Sequence, residues 1–491
     1  MIRGNDKAQS FDWALSFPRA YSMPYLFISA AHKSSGKTTL SIGLCAALRA
    51  RRLCVQPYKK GPDYIDPLWL AAAAGRGCEN LDFFTTPCDE ILASFQRRQT
   101  DADIGLIEGN KGLYDGLDLD GSNSNAALAK MIDAPVVLVL CTKGMTRGIA
   151  PLILGYQAFE PGIRLAGVIL NRVGGSRHEG KLRRVIEHYT DVKVVGAVAN
   201  SPDLEIVERH LGLMPSNESA AAADTIARIR HVVETQVDLD ALLDIAATAP
   251  DPGEYAQNTR PPCFSAPRPV KIGIAQDDAF GFYYQSDLEV FRRCGAELVP
   301  FSPLRDSHLP DVDGLFIGGG FPETRIDGLS TNTAMRSEIR RYVEAGFPVY
   351  AECGGLMYLT RSIRWKGKHG DMVGVIPADT LMEEKPQGRG YVRLRETQDF
   401  PWPVVDGDAA GEICAHEFHY SRITPLKLPA RWAYRVERGT GVDGRYDGIR
   451  YRNLLASYTH MRNVGTNHWV ERYVKFVADS VEKRRAGNDR I

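Results

Sequence analysis

Short apolar runs alternate with longer amphipathic stretches along the first half of the chain. YLFISA is followed by the helical pattern TTLSIGLCAALRAR, and the runs IGLIEG, PVVLVL and LAGVILN each precede a turn or helix. This alternation is typical of a parallel sheet with crossover helices. A second series begins with KIGIAQD and continues through AELVPFS, GLFIGGG and PVYAECGG. The pattern predicts an α/β protein with two doubly wound domains.

A proline-rich stretch separates the two series. Residues 246–269 hold six prolines, a density typical of an extended linker. We therefore predict one domain at 24–245 and another at 270–475, which suits a chain of 491 residues. Residues 1–23 are predicted to be an extension, either disordered or a result of the chosen start codon, and 476–491 a charged tail.

The overall composition excludes several classes of function. Lys plus Arg number 60 and Asp plus Glu number 60, so no global charge attracts nucleic acid or an acidic membrane surface. The nine cysteines include no C-x-x-C pair, so neither structural zinc nor a disulfide framework is expected. The leading segment has no signal-peptide core, and no apolar run reaches the ~20 residues of a membrane helix. We predict a cytoplasmic protein.

The loop AHKSSGKTT lies between the first predicted strand and the first predicted helix. Backbone N–H groups and a helix N-terminus bind phosphate in this setting. Lys37 is predicted to contact the terminal phosphates of ATP, and the Thr38 hydroxyl to bind Mg²⁺. Ala31 stands where a P-loop usually has its first glycine, so the flanking strand and helix support the prediction more than the motif does. The predicted ATP-binding residues are Ser35, Gly36, Lys37, Thr38 and Thr39.

Two acidic segments follow in the same half, KKGPDYIDP and EGNKGLYDG. Carboxylates at strand ends can face a nucleotide across an open α/β sheet. Asp63, Asp66 and Glu108 are therefore candidate ligands for Mg²⁺ or for water bound to it, because a hard cation prefers oxygen donors. Asp63 and Asp66 can equally cap turns beside Pro62 and Pro67.

The run PVYAECGGLMYL places Cys353 between an apolar strand and a helix. Such a turn holds a nucleophile clear of the sheet, and the helix N-terminus stabilises a thiolate. Upstream, GGGFPE follows the strand-like GLFI and can supply N–H donors to an oxyanion during acyl transfer. The predicted donors are Gly319, Gly320 and Gly354.

A histidine is needed to accept the thiol proton. His460 ends the apolar run of NLLASYTHM and is our predicted base, while His416 and His419 in AHEFHYS are competing candidates.

With these segments in place, the sequence resembles the cobyrinic acid a,c-diamide synthase family. The resemblance runs from about Tyr25 to about Thr466. It is carried, in family order, by GPDYIDP, EGNKGLYDG, GVILNRVG, ERHLGL, AFGFYY, GAELVPFSPL, GGGFPE, YAECGGLMYL, HEFHYS and ASYTH. Ten ordered segments are far more specific than the degenerate phosphate loop.

The resemblance implies an ATP-dependent synthetase domain of dethiobiotin-synthetase type joined to a class I glutamine amidotransferase domain. Cys353 would attack the amide of L-glutamine with His460 as base, and Gly319, Gly320 and Gly354 would contact the glutamine. Ammonia would then pass to the synthetase domain, where ATP phosphorylates a carboxylate of a tetrapyrrole polycarboxylic acid. In the family the amides form on the a and c acetate side chains. A homodimer is compatible with the resemblance.

Several positions depart from the family pattern. Arg462 stands two residues after His460, where many class I amidotransferases have a carboxylate, so a Cys-His dyad is expected rather than a triad. Asn110 and Lys111 replace more usual apolar residues, and we expect them and the segment 118–125 to select the substrate. The candidate tetrapyrrole-binding residues are Tyr64, Asp66, Asn110, Lys111, Tyr114 and Asp115.

Three alternatives are open at this point. The same chemistry can act on sirohydrochlorin or siroheme. A non-catalytic nucleotide-binding assembly factor can inherit the scaffold, although both Lys37 and Cys353 are present. Glutamine hydrolysis alone would leave the phosphate loop unexplained.

Overall fold

The computed structural model describes residues 23–206, 208–209, 212–218, 221–253, 264–407, 411–425 and 431–488. The extension predicted at 1–23 lies outside the described residues apart from Met23, as do residues 254–263 of the predicted linker. The described part of that linker is not wholly extended, because a helix continues to Ala247 before the prolines begin.

The N-terminal half is built on a parallel sheet that has seven strands within the described residues. Its strands are β1 (Tyr25–Ala30), β2 (Val55–Lys60), β3 (Glu79–Leu81), β4 (Ile104–Glu108), β5 (Val136–Cys141), β6 (Leu165–Val173) and β7 (Lys193–Ala199). They lie in the order β3-β2-β4-β1-β5-β6-β7. The central strands are buried along their whole length, which explains their continuous apolar runs. A short pair, β8 (Glu208–Arg209) and β9 (Gly212–Leu213), stands apart.

Helices cover both faces of this sheet, as the alternating pattern predicted. They are α1 (Lys37–Ala50), α2 (Ile65–Ala74), α3 (Cys88–Gln99), α4 (Asn125–Met131), α5 (Ile149–Phe159), α6 (Ser176–Tyr189), α7 (Ala222–Gln236) and α8 (Leu239–Ala247). One hydrophobic core packs α1, α2, α7 and α8 against one face of the sheet. A second core packs α3, α4, α5 and α6 against the other face. Each parallel strand therefore ends at one common edge, where the loops that follow β1, β2 and β4 meet.

The strands of the C-terminal half are β10 (Val270–Ala275), β11 (Phe280–Phe282), β12 (Ala296–Phe301), β13 (Gly314–Ile317), β14 (Gly319–Gly320), β15 (Val349–Glu352), β16 (Thr360–Trp365), β17 (Lys368–Asp371), β18 (Ile376–Met382), β19 (Gly388–Glu396), β20 (Glu412–His419), β21 (Ser421–Thr424), β22 (Arg431–Arg438), β23 (Tyr446–Tyr451) and β24 (Leu454–Ser457). A mixed sheet joins nine of them in the order β12-β10-β13-β15-β24-β23-β22-β19-β20. The first five strands in this order are parallel and the remaining four antiparallel. A smaller sheet, β17-β16-β18-β21, packs beside it.

The helices of this half are α9 (Gln285–Arg293), α10 (Ile326–Thr331), α11 (Thr333–Glu344), α12 (Gly354–Leu359) and α13 (Trp469–Asn488). The segment 476–491, which the sequence analysis separates as a charged tail, begins inside α13. Val477 and Ala478 are buried against the sheet there, so the helix docks through an apolar face that the surrounding charges obscure in the sequence. No helix among the described residues combines the length and apolar character needed to cross a bilayer.

The two halves meet through polar contacts as well as aromatic ones. Arg98 on α3 reaches Glu289 on α9 at 2.6 Å, and Tyr391 on β19 donates to Asp82 at 2.5 Å. Arg462 is only 2% exposed, lies 4.7 Å from the ring centre of Tyr284 and approaches Glu79 across the boundary. These contacts join the two halves through α3, α9, β19 and the segment that follows β24.

The tight turn at the start of α12 yields a stability prediction. A Cβ on Gly355 would lie 2.0 Å from the Ile317 carbonyl oxygen, so Gly355→Ala must push two backbones apart. We expect a loss of about 1–3 kcal/mol in the free energy of unfolding. Gly180→Ala is the matched control: it lies inside α6 with no atom near the added methyl, and should gain about 0.5–1 kcal/mol. Thermal unfolding measures both, and equal melting temperatures would contradict the packing argument.

Candidate functional site

The phosphate loop joins β1 to α1 with the geometry of an anion-binding turn. Gly36 has φ 87°, a left-handed conformation that suits glycine, and α1 begins at the next residue. An added Cβ there would lie 2.1 Å from Nδ2 of Asn171, which itself donates to the Ser35 carbonyl at 2.8 Å. Asn171 at the end of β6 thus fixes the loop so that the N-terminus of α1 stays open toward a phosphate.

Lys37 and Thr38 converge on one buried carboxylate. Lys37 Nζ lies 2.9 Å from Glu108 Oε1, and Thr38 Oγ1 donates to the same oxygen at 2.6 Å. Thr38 also lies 3.3 Å from Asp66. The structure therefore brings together four of the residues predicted for ATP and Mg²⁺, since β1 and β4 are neighbours in the sheet.

A second lysine stands at the centre of the acidic group. Lys59 pairs in register with Glu108 on the adjacent strand, and its Nζ lies 2.5 Å from Asp66, 3.1 Å from Glu108 and 3.9 Å from Asp63. Sequence reasoning named the segment but not this residue. Lys59 could have been recognised as a lysine near the end of a buried strand. The acidic residues that follow it drew attention away from it.

Burial and mutual attraction set the charges in this group. Burial lowers the pKa of Lys37. Burial opposes charge on Lys59 too, but Asp66 and Glu108 outweigh it and raise the pKa of Lys59. Lys59 and Lys37 hold the pKa of Asp66 below its usual range against the effect of burial, whereas burial and the neighbouring Asp66 raise the pKa of Asp63. Asp66 is therefore the better anionic ligand of the two.

These oxygens suit a hard cation held jointly with a nucleotide. Glu108 Oε2 is buried and makes no hydrogen bond to any described residue, so it can accept a ligand from the cleft. Within the described residues, no cluster of three or more His, Cys, Asp or Glu side chains is arranged to hold a metal ion alone. A cation at Thr38, Asp66 and Glu108 would take further oxygen ligands from phosphate.

The residues predicted to bind the tetrapyrrole occupy different positions. Lys111 is exposed. The backbone N–H of Asn110 donates to Oδ1 of Asn125 at 3.1 Å. Tyr114 packs on Tyr156, while Asp115 accepts from the Gly112 N–H at 2.9 Å. The predicted selecting segment 118–125 begins as an exposed loop with Leu119 fully in solvent. Tyr64 points elsewhere, toward the C-terminal half.

Lys60 connects β2 to that exposed loop. Its Nζ donates to the backbone oxygen of Asn123 at 2.5 Å and to the side-chain oxygen at 2.8 Å. Burial lowers the pKa of Lys60 to about 8. Lys60, which directly precedes GPDYIDP, therefore anchors the base of the loop.

Cys353 occupies a strained elbow between β15 and α12. Its φ of 47° and ψ of −100° are unusual for a residue with a side chain, and its N–H donates to the Ser457 carbonyl at 2.8 Å. Gly354 packs directly on the backbone of Gly320, and Gly319–Gly320 pairs with β11. The predicted nucleophile and the predicted oxyanion residues are thus neighbours at the ends of adjacent strands β13 and β15.

His460 follows β24, the strand on the other side of β15. Its Nδ1 lies 3.3 Å from Glu352 Oε2, and the other oxygen of Glu352 accepts from Tyr350 at 2.7 Å and from the Met461 N–H at 3.0 Å. The expected dyad left out this carboxylate. The sequence analysis looked for a carboxylate two residues after His460, whereas Glu352 directly precedes Cys353. The residue two positions after His460 is Arg462, which approaches Glu79.

The competing histidines lie close by in different roles. His416 stacks on His460 with ring centres 5.0 Å apart, and burial together with His460 lowers the pKa of His416. His419 stacks on Tyr458 and bonds to the Ser421 backbone. Burial raises the pKa of the Cys353 thiol, so this environment does not favour the thiolate that we expected from the helix N-terminus.

A side chain of the N-terminal half completes this second site. The ring of Tyr64 lies 5.1 Å from that of His460 and stacks on Phe282 at 5.4 Å. Tyr64 is two residues from Asp66 of the phosphate site, so the two sites are separated by little more than one side chain.

Comparison with known proteins covers both halves. The family model for a CobB/CobQ-like glutamine amidotransferase domain matches residues 271–467, and an AAA domain model matches residues 63–207. The chain is 48% identical to a cobyrinate a,c-diamide synthase of Magnetococcus marinus, over 93% of this chain and 97% of that protein. It is 42% identical to the protein of that name from Archaeoglobus fulgidus, over 92% and 97%, and 40% identical to that of Methanosarcina acetivorans, over 91% and 93%.

Proposed function

This chain belongs to the cobyrinate a,c-diamide synthase family, and from that premise we propose that it uses ATP and glutamine to convert two carboxylates of cobyrinic acid into primary amides. The a and c acetate side chains are the proposed positions, on the cobalt-containing acid or on metal-free hydrogenobyrinic acid. One observation carries the proposal: a phosphate loop lined by lysines and carboxylates, and a cysteine elbow on the strand next to the one that leads to His460, occur in one chain that matches these relatives over nearly their full length.

Glutamine hydrolysis begins at Cys353. The sulfur forms a bond to the side-chain carbonyl carbon of glutamine as its proton moves to His460, and the N–H groups near Gly320 and Gly354 stabilise the oxyanion. The C–N bond then breaks as His460 gives the proton to the departing nitrogen, and ammonia leaves. Water attacks the thioester and releases glutamate. The raised pKa of Cys353 makes His460 necessary, because little thiolate exists beforehand.

Amide formation takes place at the phosphate loop. An oxygen of the substrate carboxylate attacks the γ-phosphorus of ATP, and ADP leaves. Ammonia then attacks the resulting acyl phosphate, and phosphate departs with the oxygen. We propose that Lys37 and Lys59 neutralise charge on the transferring phosphoryl group. Phosphorylation is needed because a free carboxylate lacks a good leaving group.

We propose that Mg²⁺ accompanies the nucleotide, held by Thr38, Glu108 and Asp66, with Asp63 at the edge of the group. When bound, it would supply positive charge that stabilises the phosphate oxygens. Of the two predicted aspartates, Asp66 is favoured by its contact with Thr38 and by its lowered pKa.

Substrate selection is proposed for Asn110, Lys111 and the segment 118–125, because Asn110 and Lys111 closely follow Glu108 in the chain and Lys111 is exposed, with Tyr114 and Asp115 supporting the loop. The names of the relatives favour a corrin over sirohydrochlorin or siroheme, and they favour an enzyme over an assembly factor. A cytoplasmic location stays a prediction from the sequence composition, and a homodimer stays one that the resemblance allows.

The proposal is tested by offering cobyrinic acid, hydrogenobyrinic acid, sirohydrochlorin and siroheme separately with ATP, Mg²⁺ and glutamine. Mass spectrometry should show a loss of about one mass unit per carboxyl as OH becomes NH₂. Two such losses on a corrin would support the assignment. Turnover of sirohydrochlorin or siroheme alone would move the substrate to the rival class, and absence of turnover with every acid would contradict the proposal.

We propose that Glu352 is a positioning residue for His460. Glu352→Gln should lower kcat for glutamine hydrolysis about 30-fold, or roughly 2 kcal/mol, because an amide holds the imidazole in a fixed orientation and tautomer less well. KM for glutamine should change little, because the substitution leaves Cys353 and the glycine loop in place. Amide formation from free ammonia should continue.

Glu338→Gln is the matched control, since Glu338 pairs with His308 on the outer surface. It should leave both reactions unchanged. A Glu352→Gln variant with wild-type kcat would show that Glu352 does not position the base.

A further inference from the structure

Tyr64 belongs to the N-terminal half but is packed into the wall of the glutamine site. Its ring lies nearly parallel to that of Phe282, with 5° between the planes, and 4.5 Å from that of Tyr284. It also faces both histidines, His416 at 5.6 Å and His460 at 5.1 Å. Only 8% of Tyr64 is exposed, and most of its contacts come from the other half.

The backbone around Tyr64 is held firmly at both ends. Tyr284 donates to the Pro62 carbonyl at 3.2 Å, and Asp63 accepts from the Ile65 N–H at 2.9 Å. The next helix begins at Ile65, and Asp66 in its first turn contacts Thr38 and Lys59. The short segment that carries Tyr64 thus also carries Asp63 and Asp66 of the phosphate site.

We propose that Tyr64 is a positioning residue of the glutamine-hydrolysing site that the ATP-binding half supplies. Its ring covers His460 on the side facing the phosphate site, excludes water there, and ties the imidazole to the segment 62–66. Glutamine hydrolysis thereby depends on the state of the ATP site, and released ammonia is kept from solvent. This inference rests on the proposed function.

A merely structural aromatic residue would behave differently. Buried rings at a boundary between halves contribute to stability wherever they lie. Only a ring that covers His460 should alter the ratio of glutamate released to amide formed. The interface offers a direct comparison, because Tyr391 stacks on Phe84 across the same boundary and has no ring contact with His460 among the described residues.

The test uses the full chain with ATP, Mg²⁺, glutamine and cobyrinic acid. Tyr64→Ala should raise the ratio of glutamate to amide at least about threefold, as water reaches the site. It should also reduce the stimulation of glutamine hydrolysis by ATP. Tyr391→Ala, which removes a comparable ring, should keep the wild-type ratio. Tyr64→Phe retains the ring and should stay within about twofold of the wild-type ratio.

Amide formation from free ammonia separates the two hypotheses. If the wild type forms no amide even from ammonia, the proposed function fails. If it does so, and Tyr64→Ala keeps the wild-type ratio and stimulation by ATP, the positioning role is wrong. Should Tyr64→Ala not fold, Tyr64→Leu fills more of the space and must show the same rise. A rise of equal size in Tyr391→Ala would assign the effect to the interface in general and overturn the inference.

Discussion

Replacing Cys353 with alanine is expected to lower glutamine-dependent amide formation at least about 1,000-fold, because no other group at the elbow can form the thioester. Amide formation from high concentrations of free ammonia should persist near the wild-type rate, since the phosphate loop and its carboxylates lie in the other half. Parallel assays with glutamine and with ammonium chloride, each followed by mass spectrometry of the corrin, measure both reactions.

Cys88→Ala is the matched control for that prediction, because Cys88 is an exposed cysteine at the start of α3. It should behave as the wild type with either nitrogen source. A folded Cys353→Ala protein that ammonia does not rescue would show that the two reactions cannot be separated, contrary to the arrangement described above.

Lys37→Ala should produce the opposite pattern. Loss of the ammonium group that we propose to contact the terminal phosphates of ATP should lower amide formation from either nitrogen source about 1,000-fold, or roughly 4 kcal/mol. Glutamine hydrolysis measured without ATP should be retained, since Cys353, His460 and Glu352 are untouched. Release of ADP, amide and glutamate can be followed in the same reaction.

Lys33→Ala provides the control within the same loop. Lys33 is exposed, whereas Lys37 contacts Glu108, so removal of the Lys33 charge should change the rate of amide formation by less than about twofold. Equal losses in the two variants would mean that the loop acts through its general positive charge and not through the placement of Lys37.

The periodic parts of this fold could be read directly from the chain. YLFISA became β1, the helix after the phosphate loop became α1, and PVYAECGG became the strand and elbow around Cys353. Buried parallel strands and the turns that follow them have local signatures, so the nucleophile and the phosphate loop were both predictable. The apolar face of α13 was obscured by charges and was instead assigned to a tail.

Contacts between distant segments could not be predicted in this way. Glu352 meets His460 because β15 and β24 are neighbours in the sheet, and Asn171 meets the phosphate loop because β6 ends beside it. Neither contact can be predicted from the local pattern of apolar and polar residues. Tyr64 is the clearest case: its motif is acidic and indicated the ATP site, whereas the ring crosses to the other half.

The buried Arg462 also limits how genes of this type can recombine. A crossover within the proline-rich stretch would join halves of different ancestry and leave this guanidinium facing whatever the other parent carries at Glu79 and Thr86. An uncompensated buried charge costs about 3–5 kcal/mol, a large part of the stability of a typical domain. Viable chimeras should therefore inherit Arg462 and Glu79 from the same parent, and the linker, although it is the natural place to cut, should be a poor place to exchange.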